Sequence, residues 1–164
     1  SGVQTENSNK STTFAERYAS RCMSTGKLVL KVGDYTTADK TFTGSDVETY
    51  AAITGDDNPL HDPNNNEAAQ QAGFDTSICH GMFSGALFST AVGAALPGAI
   101  LVEKTLRWKK PLYINESLHA HVEVTKVLPG KKIVLCDMKA TNQKNETVVE
   151  GKVTLLVRDL VDAA

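Results

Sequence analysis

Gly81 to Leu96 reads GMFSGALFSTAVGAAL. It carries no charged side chain and is apolar all round, so the expected form is a buried helix rather than an amphipathic surface one. At about 1.5 Å per residue it would be roughly 24 Å long. Small residues recur along it: Gly81, Ser84, Gly85, Ala86, Ser89, Ala91, Gly93, Ala94 and Ala95. A glycine inside a helix costs up to about 1 kcal/mol relative to alanine. That cost is tolerable where another element packs close to the helix backbone. A curved sheet wrapped around the helix would supply such packing, and Pro97-Gly98 would stop the helix.

The stretch lies inside a longer run, between Asp75 and Glu103, with no Asp, Glu, Lys or Arg. Length alone makes such a run a candidate membrane span. His80, Ser84, Ser89, Thr90 and Pro97 interrupt it, which favours a buried central helix followed by a buried strand.

On the C-terminal side the chain reads as strands. Ile100 to Trp108 comes first. Ser117 to Val127 alternates, with Leu118, Ala120, Val122 and Val124 on one face and His119, His121, Glu123 and Thr125 on the other. Lys132 to Thr141 follows the Pro129-Gly130 turn. Thr147 to Arg158 follows a loop at Asn142–Asn145. On the N-terminal side Leu28–Val32 and Lys40–Thr43 read as short strands. Ser45-Asp46-Val47-Glu48 and Asn64-Asn65-Asn66-Glu67 read as capping boxes. They open a helix that ends at Gly55 and a short one from about Asn65 to Gln71.

Segregated helices and strands indicate an α+β class. One antiparallel sheet wrapped around one long buried helix, about 81–96, is a single hot-dog domain, expected over residues 27–164. A lone helix leaves apolar sheet surface and an edge strand open, so a homodimer is expected. Residues 1–26 read as a flexible tail. Ser1-Gly2 fits a vector-derived scar. From Lys10 to Lys27 there are four basic residues and one acid, Glu16. That bias suits the remnant of a mitochondrial transit sequence and a matrix location. A plain tail, with a cytoplasmic or peroxisomal protein, fits the composition equally.

With Lys plus Arg at 17 and Asp plus Glu at 19, the net charge of -2 gives no basic excess for nucleic acid. Cys22, Cys79 and Cys136 are odd in number and widely spaced. They fit a reducing compartment better than a disulfide framework or a zinc site.

Upstream of the helix, Thr54 to Ala69 reads TGDDNPLHDPNNNEAA. Asp, Asn and Pro are ordinary turn residues, so a structural loop is one reading. The other is a site. Pro59 keeps Asp56 and His61 off any regular helix, and a folded-back loop brings carboxylate and imidazole to one point. Such a pair can move protons near neutral pH. A second polar knot, Cys79-His80-Gly81-Met82, opens the helix. The Gly81 N–H is there a helix-terminal donor able to hold a developing oxyanion. A metal is the rival use of Asp56, Asp57, His61 and Asp62. The EF-hand pattern breaks at Leu60 and Asp62, and HxxxH on a helix is absent. His119 and His121 lack an evident third ligand. No metal and no cofactor are expected.

The segment Tyr50-Ala-Ala-Ile-Thr-Gly-Asp-Asp-Asn-Pro-Leu-His61, with His80-Gly81-Met82 downstream, resembles the hydratase-2 motif. That motif marks the MaoC-like (R)-specific enoyl-CoA hydratases and 3-hydroxyacyl-thioester dehydratases. The similarity spans about Leu28 to Leu160 and includes Arg107 to Tyr113. The resemblance implies reversible addition of water to a trans-2-enoyl-CoA or acyl-carrier-protein thioester. It implies that Asp56 and His61 hold and activate the water, and that the Gly81 N–H binds the thioester oxygen. Asn58 would hold the loop, and Asp57 falls on the motif's variable position. His80 and Met82 would lie on the substrate side, with Ser89 and Val92 lining an acyl tunnel. Two features depart from the pattern: the polar Asp62–Cys79 segment, and Asn115-Glu116 where many relatives have Gly-Asp. A hot-dog thioesterase and a non-catalytic acyl-binding hot-dog protein are the competing functions.

Overall fold

The computed structural model describes residues 27–161. Residues 1–26, where a tail is expected, lie outside them, as do 162–164. Five strands are described: β1 (Tyr35–Thr41), β2 (Ile100–Trp108), β3 (Ser117–Leu128), β4 (Ile133–Asn142) and β5 (Thr147–Leu156). They form one antiparallel sheet in the order β1-β3-β4-β5-β2. Helices α1 (Gly44–Thr54), α2 (Glu67–Gln71) and α3 (Gly81–Ala95) lie in the connection from β1 to β2. That connection runs from one edge of the sheet to the other and packs α3 against β1, β3 and β5. The architecture is the expected α+β hot-dog.

The core follows from strand alternation. Leu118, Ala120, Val122 and Val124 of β3 are buried, as are Val134, Cys136, Met138 and Ala140 of β4. They face Leu87, Phe88, Ala91, Val92 and Ala95 of α3 within one apolar cluster. Burying a side chain such as Phe88 contributes about 1.5–3 kcal/mol. No helix among the described residues is long and apolar enough to cross a membrane.

Several local expectations are corrected. Leu28–Val32 is not a strand of the sheet. It makes a single parallel bridge, Leu28 to Leu160, with Leu28 and Leu30 buried and Val32 exposed. An alternating apolar pair fills the core equally well from an extended segment. The first strand is Tyr35–Thr41, ahead of the expected Lys40–Thr43. The cap of α1 is Thr43, not Ser45. Its side chain accepts from the Asp46 N–H at 3.2 Å, and Asp46 Oδ2 accepts from the Thr43 N–H at 2.8 Å. The box motif occurs twice in overlapping registers, and spacing alone does not choose between them.

The asparagine run is not a single cap. Asn64 donates to Glu48, Asn65 accepts from the Glu67 N–H, and Asn66 accepts from the Ser77 N–H. Each therefore ties a different segment, and α2 starts only at Glu67.

Helix α3 is buried on one face only. Met82, Ala86, Ser89, Thr90, Gly93 and Ala94 are exposed. Strand β2 is likewise exposed rather than buried, because it forms a sheet edge. Its inward side chains explain two helix glycines. A Cβ on Gly81 would stand 3.1 Å from Trp108 Nε1, and one on Gly85 would stand 2.8 Å from Leu106 Cδ1.

Candidate active site

Helix α1 ends at Gly55, which sits in the left-handed region at φ 76° and donates its N–H to Ala51 O. Glycine adopts this conformation without a Cβ penalty, and the chain leaves the helix directly into Asp56. The loop is then wound by Asn58. Its Oδ1 accepts from the Leu60 N–H at 3.1 Å, and its carbonyl accepts from the His61 N–H at 2.9 Å. The result is a single 3-10 turn, Pro59–His61, that ends on the histidine.

The loop is fastened to the segment ahead of α3. The Ile78 N–H donates to Leu60 O at 3.0 Å, and the Cys79 N–H to Leu112 O at 2.8 Å. His61 Nδ1 lies 2.8 Å from Ile78 O. A carbonyl can only accept, so the His61 proton is assigned to Nδ1 and Nε2 carries a free lone pair. His80, 3% exposed, occupies the position before the first turn of α3, with its Nε2 at 3.0 Å from Asp56 O. The imidazoles of His61 and His80 pack against each other, with centroids 4.0 Å apart and planes tilted by 33°. Tyr50 packs on His80 at 4.7 Å.

Asp56, His61 and His80 each place one polar side-chain atom within 4.8 Å of the others. A water hydrogen-bonded to two groups at about 2.8 Å each spans roughly that separation. Burial holds the His61 imidazole below the ordinary value of 6.5, and the proximity of His80 acts the same way. The Ile78 carbonyl and the Asp56 carboxylate act in the opposite direction, and the net shift is downward. His61 is therefore an uncharged base with its lone pair available at neutral pH. The Asp56 side chain is half-exposed, at 51%.

The same three residues are a conceivable donor set for a metal. One nitrogen of each imidazole is already engaged by a main-chain carbonyl, His61 Nδ1 by Ile78 O and His80 Nε2 by Asp56 O. His119 and His121 are each held by an acid, Asp39 and Glu123.

The Gly81 N–H opens α3, where no helix carbonyl is available to it. Trp108 braces this point, donating its indole N–H to Gly81 O at 2.9 Å and towards Ser84 Oγ at 3.1 Å. A cleft of about 310 Å³ is lined by His61, Phe74, His80, Gly81 and Trp108, with Lys109 and Lys110 on its wall. A larger cleft, about 580 Å³, lies across β2, β5 and β4 among charged side chains such as Arg107 and Lys139, away from the pair.

The structure thus brings Asp56, His61 and His80 together, with Gly81 beside His61 and His80 in one cleft and Asn58 beside Asp56 and His61 in another. Met82 is 50% exposed. Ser89 lies two turns further along α3, where its hydroxyl accepts from Lys104 Nζ at 2.6 Å, and Val92 is in the core. None of these three lines the cleft in the single chain. Cys79 is buried, and burial pushes its thiol up to about 12, as for a packing residue rather than a nucleophile. Ile78, Trp108 and Phe74 were not legible as site residues. Their roles depend on backbone carbonyls and long-range contacts that carry no local pattern.

A match to the family model for a MaoC-like domain covers residues 31–150. A mitochondrial 3-hydroxyacyl-(acyl-carrier-protein) dehydratase of Arabidopsis thaliana is 34% identical over 138 residues, covering 82% of this chain and 81% of the relative. An (R)-specific enoyl-CoA hydratase of Rhodospirillum rubrum is 36% identical over 130 residues, covering 78% and 88%. Among solved structures, an (R)-hydratase from A. caviae involved in PHA biosynthesis superposes with a TM-score of 0.73 at 31% identity, covering 78% of this chain and 97% of that one.

Proposed function

This chain belongs to the MaoC-like domain family, and from that premise we propose that it is an (R)-specific enoyl-thioester hydratase and (R)-3-hydroxyacyl-thioester dehydratase. It is a hydro-lyase, and residues 27–164 are its catalytic domain. The observation that carries the reading is the Asp56/His61 pair, whose polar atoms lie within 4.8 Å of one another, with His61 and Gly81 lining one cleft.

One water sits between the Asp56 carboxylate and His61 Nε2. As its oxygen bonds to C3 of the trans-2-enoyl thioester, a proton passes from the water to the pair. Negative charge moves onto the thioester oxygen, where the Gly81 N–H and the positive end of α3 stabilise it. The pair then returns a proton to C2, and the enolate collapses to the 3-hydroxyacyl thioester. Holding the water on one face of the double bond gives a single stereochemical outcome. Asn58 keeps the turn that presents both side chains. Met82, Ser89 and Val92 remain proposed contacts on the acyl side.

The substrate is an acyl thioester on coenzyme A or on an acyl-carrier protein. Both present a phosphopantetheine arm, and the Lys109 and Lys110 ammonium groups on the cleft wall suit its phosphate. In the free protein they pair with Glu150 and Glu146. A mitochondrial setting is supported by the acid-poor stretch from Lys10 to Lys27 and by the mitochondrial Arabidopsis relative. The working form is a homodimer.

Asp56→Asn tests the reading. The side chain is half-exposed and near-isosteric, so the fold is retained. Consumption of a conjugated enoyl-CoA should slow by at least about 100-fold, the scale of one acid–base group. A folded variant that hydrates as fast as the parent would remove Asp56 from the chemistry. Thiol release without hydration in the parent would make the protein a thioesterase instead.

A further inference from the structure

His80 was expected on the substrate side, but its geometry connects it to the other site residues. Its ring is 3% exposed and lies between Tyr50 at 4.7 Å and His61 at 4.0 Å, with Phe83 at 5.8 Å edge-on. Its Nε2 is 3.0 Å from the Asp56 main-chain carbonyl, and the same atom is 3.9 Å from Asp56 Oδ2. Its Nδ1 is buried and has no hydrogen-bond partner among the described residues. Because the carbonyl can only accept, the proton belongs on Nε2, and the bare nitrogen is the one that faces no partner.

We propose that His80 is a positioning residue that sets both halves of the proton-handling pair relative to the oxyanion donor. Two contacts do this. The Nε2–H hydrogen bond fixes the Asp56 backbone, and so the origin of its side chain, against the start of α3. The ring face backs the His61 imidazole while the Ile78 carbonyl holds its edge, which leaves one direction for His61 Nε2. His80 is also the residue immediately before Gly81, so the Asp56 carboxylate, the His61 lone pair and the Gly81 N–H share one rigid reference. An unpartnered buried nitrogen is ordinarily costly. Here the ring packs against His61 and Tyr50, and its one N–H serves the Asp56 carbonyl.

The proposal rests on the hydratase reading, and the test keeps the two apart. Two variants separate the contacts. His80→Gln keeps an N–H donor that can reach Asp56 O. His80→Phe keeps the ring and removes the donor. With the fold verified by circular dichroism and thermal melting, His80→Phe should lower kcat by about tenfold to a hundredfold, as for a displacement of reacting groups by about an ångström. KM should stay within about threefold, since the proposed role acts through Asp56 and His61 rather than on the substrate. His80→Gln should recover a substantial part of kcat, because the Asp56 tether is restored.

A folded His80→Phe with the parent's kcat would overturn the proposal. So would a loss confined to KM, which would make His80 a substrate contact, or a His80→Gln no better than His80→Phe. Imidazole ¹⁵N–¹H correlation on the unmodified protein decides the case even if both variants unfold. The expected proton positions are Nε2 for His80 and Nδ1 for His61, and a His80 proton on Nδ1 alone would refute the tether. If the parent hydrates no enoyl thioester while these protons are found as expected, the functional reading fails and the positioning geometry stands.

Discussion

At the scale of single residues, the side chain with the most testable chemistry is His61. Its Nδ1–H is committed to Ile78 O, so the only nitrogen available to a substrate water is Nε2. Burial, the largest influence, holds its pKa below 6.5, the ordinary histidine value. A base must be unprotonated to act, so kcat/KM for hydration should be flat through neutrality and fall on the acid side. The falling limb should have its midpoint below pH 6.5. His61→Asn should abolish that limb together with most of the rate. A limb centred above 6.5 would mean that His61 is stabilised as a cation. The linkage has the same direction for stability. A folded pKa below the unfolded one means the unfolded chain binds the proton more readily. The contribution is fully present above the unfolded pKa and is lost as pH falls through the folded one.

Much of this site was legible because it is local. Asp56, Asn58, Pro59 and His61 lie within six positions, and the need for a non-helical turn follows from Pro59 itself. The role of His80 was not legible, since its partners Asp56 and His61 are 24 and 19 positions away. A spacing pattern does not report which atom of a distant ring meets which carbonyl.

At the scale of elements, α3 and β2 are fitted to one another through residues without side chains. Trp108 covers Gly81 and Leu106 covers Gly85, so the helix glycines that the sequence offered as packing residues do meet a strand. A third glycine works in the strand layer. Gly151 of β5 pairs with Leu106 of β2, and a Cβ there would stand 1.9 Å from the main-chain oxygen of Thr105. Backbone cannot swing aside as a side chain can. Gly151→Ala should therefore force β2 away from β5 and cost about 3 kcal/mol, the upper end for overpacking. Gly85→Ala is the contrasting case. Its Cβ crowds only the tip of Leu106, with Met82 at ordinary contact distance, and the helix gains about 1 kcal/mol from alanine. Its net change should be within about 1 kcal/mol. Urea unfolding with unchanged slope reads both values. Equal midpoints for the two variants would contradict the described register of β2 on β5. The identities of β3, β4 and β5 were legible from the sequence, but β1 was reached only at its end, Leu28–Val32 was misread as a strand, and the edge position of β2 was not legible. An apolar start such as Ile100–Val102 looks the same in sequence whether it is covered by its own chain or by another.

At the scale of the whole molecule that ambiguity becomes a prediction about assembly. Strand β2 pairs with β5 on one side, and no described strand covers the other. The open edge carries Ile100, Leu101 and Val102 at 42%, 43% and 58% exposure, with Trp108 at 46%. The adjoining face of α3 presents Met82, Ala86, Gly93 and Ala94 to solvent. Unpaired backbone beside apolar side chains is the surface that edge strands normally protect with lysine or proline, and Ile100–Val102 contains neither. A second copy related by a two-fold axis would pair β2 with β2 antiparallel, continue the sheet across both chains and cover both small-residue helix faces. Sedimentation should then give twice the 17.6 kDa mass of the chain at micromolar concentration. Val102→Lys places a charge on the edge without touching the inward contacts of Lys104, Leu106 or Trp108, and should shift the population to the single-chain mass. A parent that sediments as one chain, or a Val102→Lys variant that keeps the parent's mass, would show that β2 is not the surface through which two copies meet.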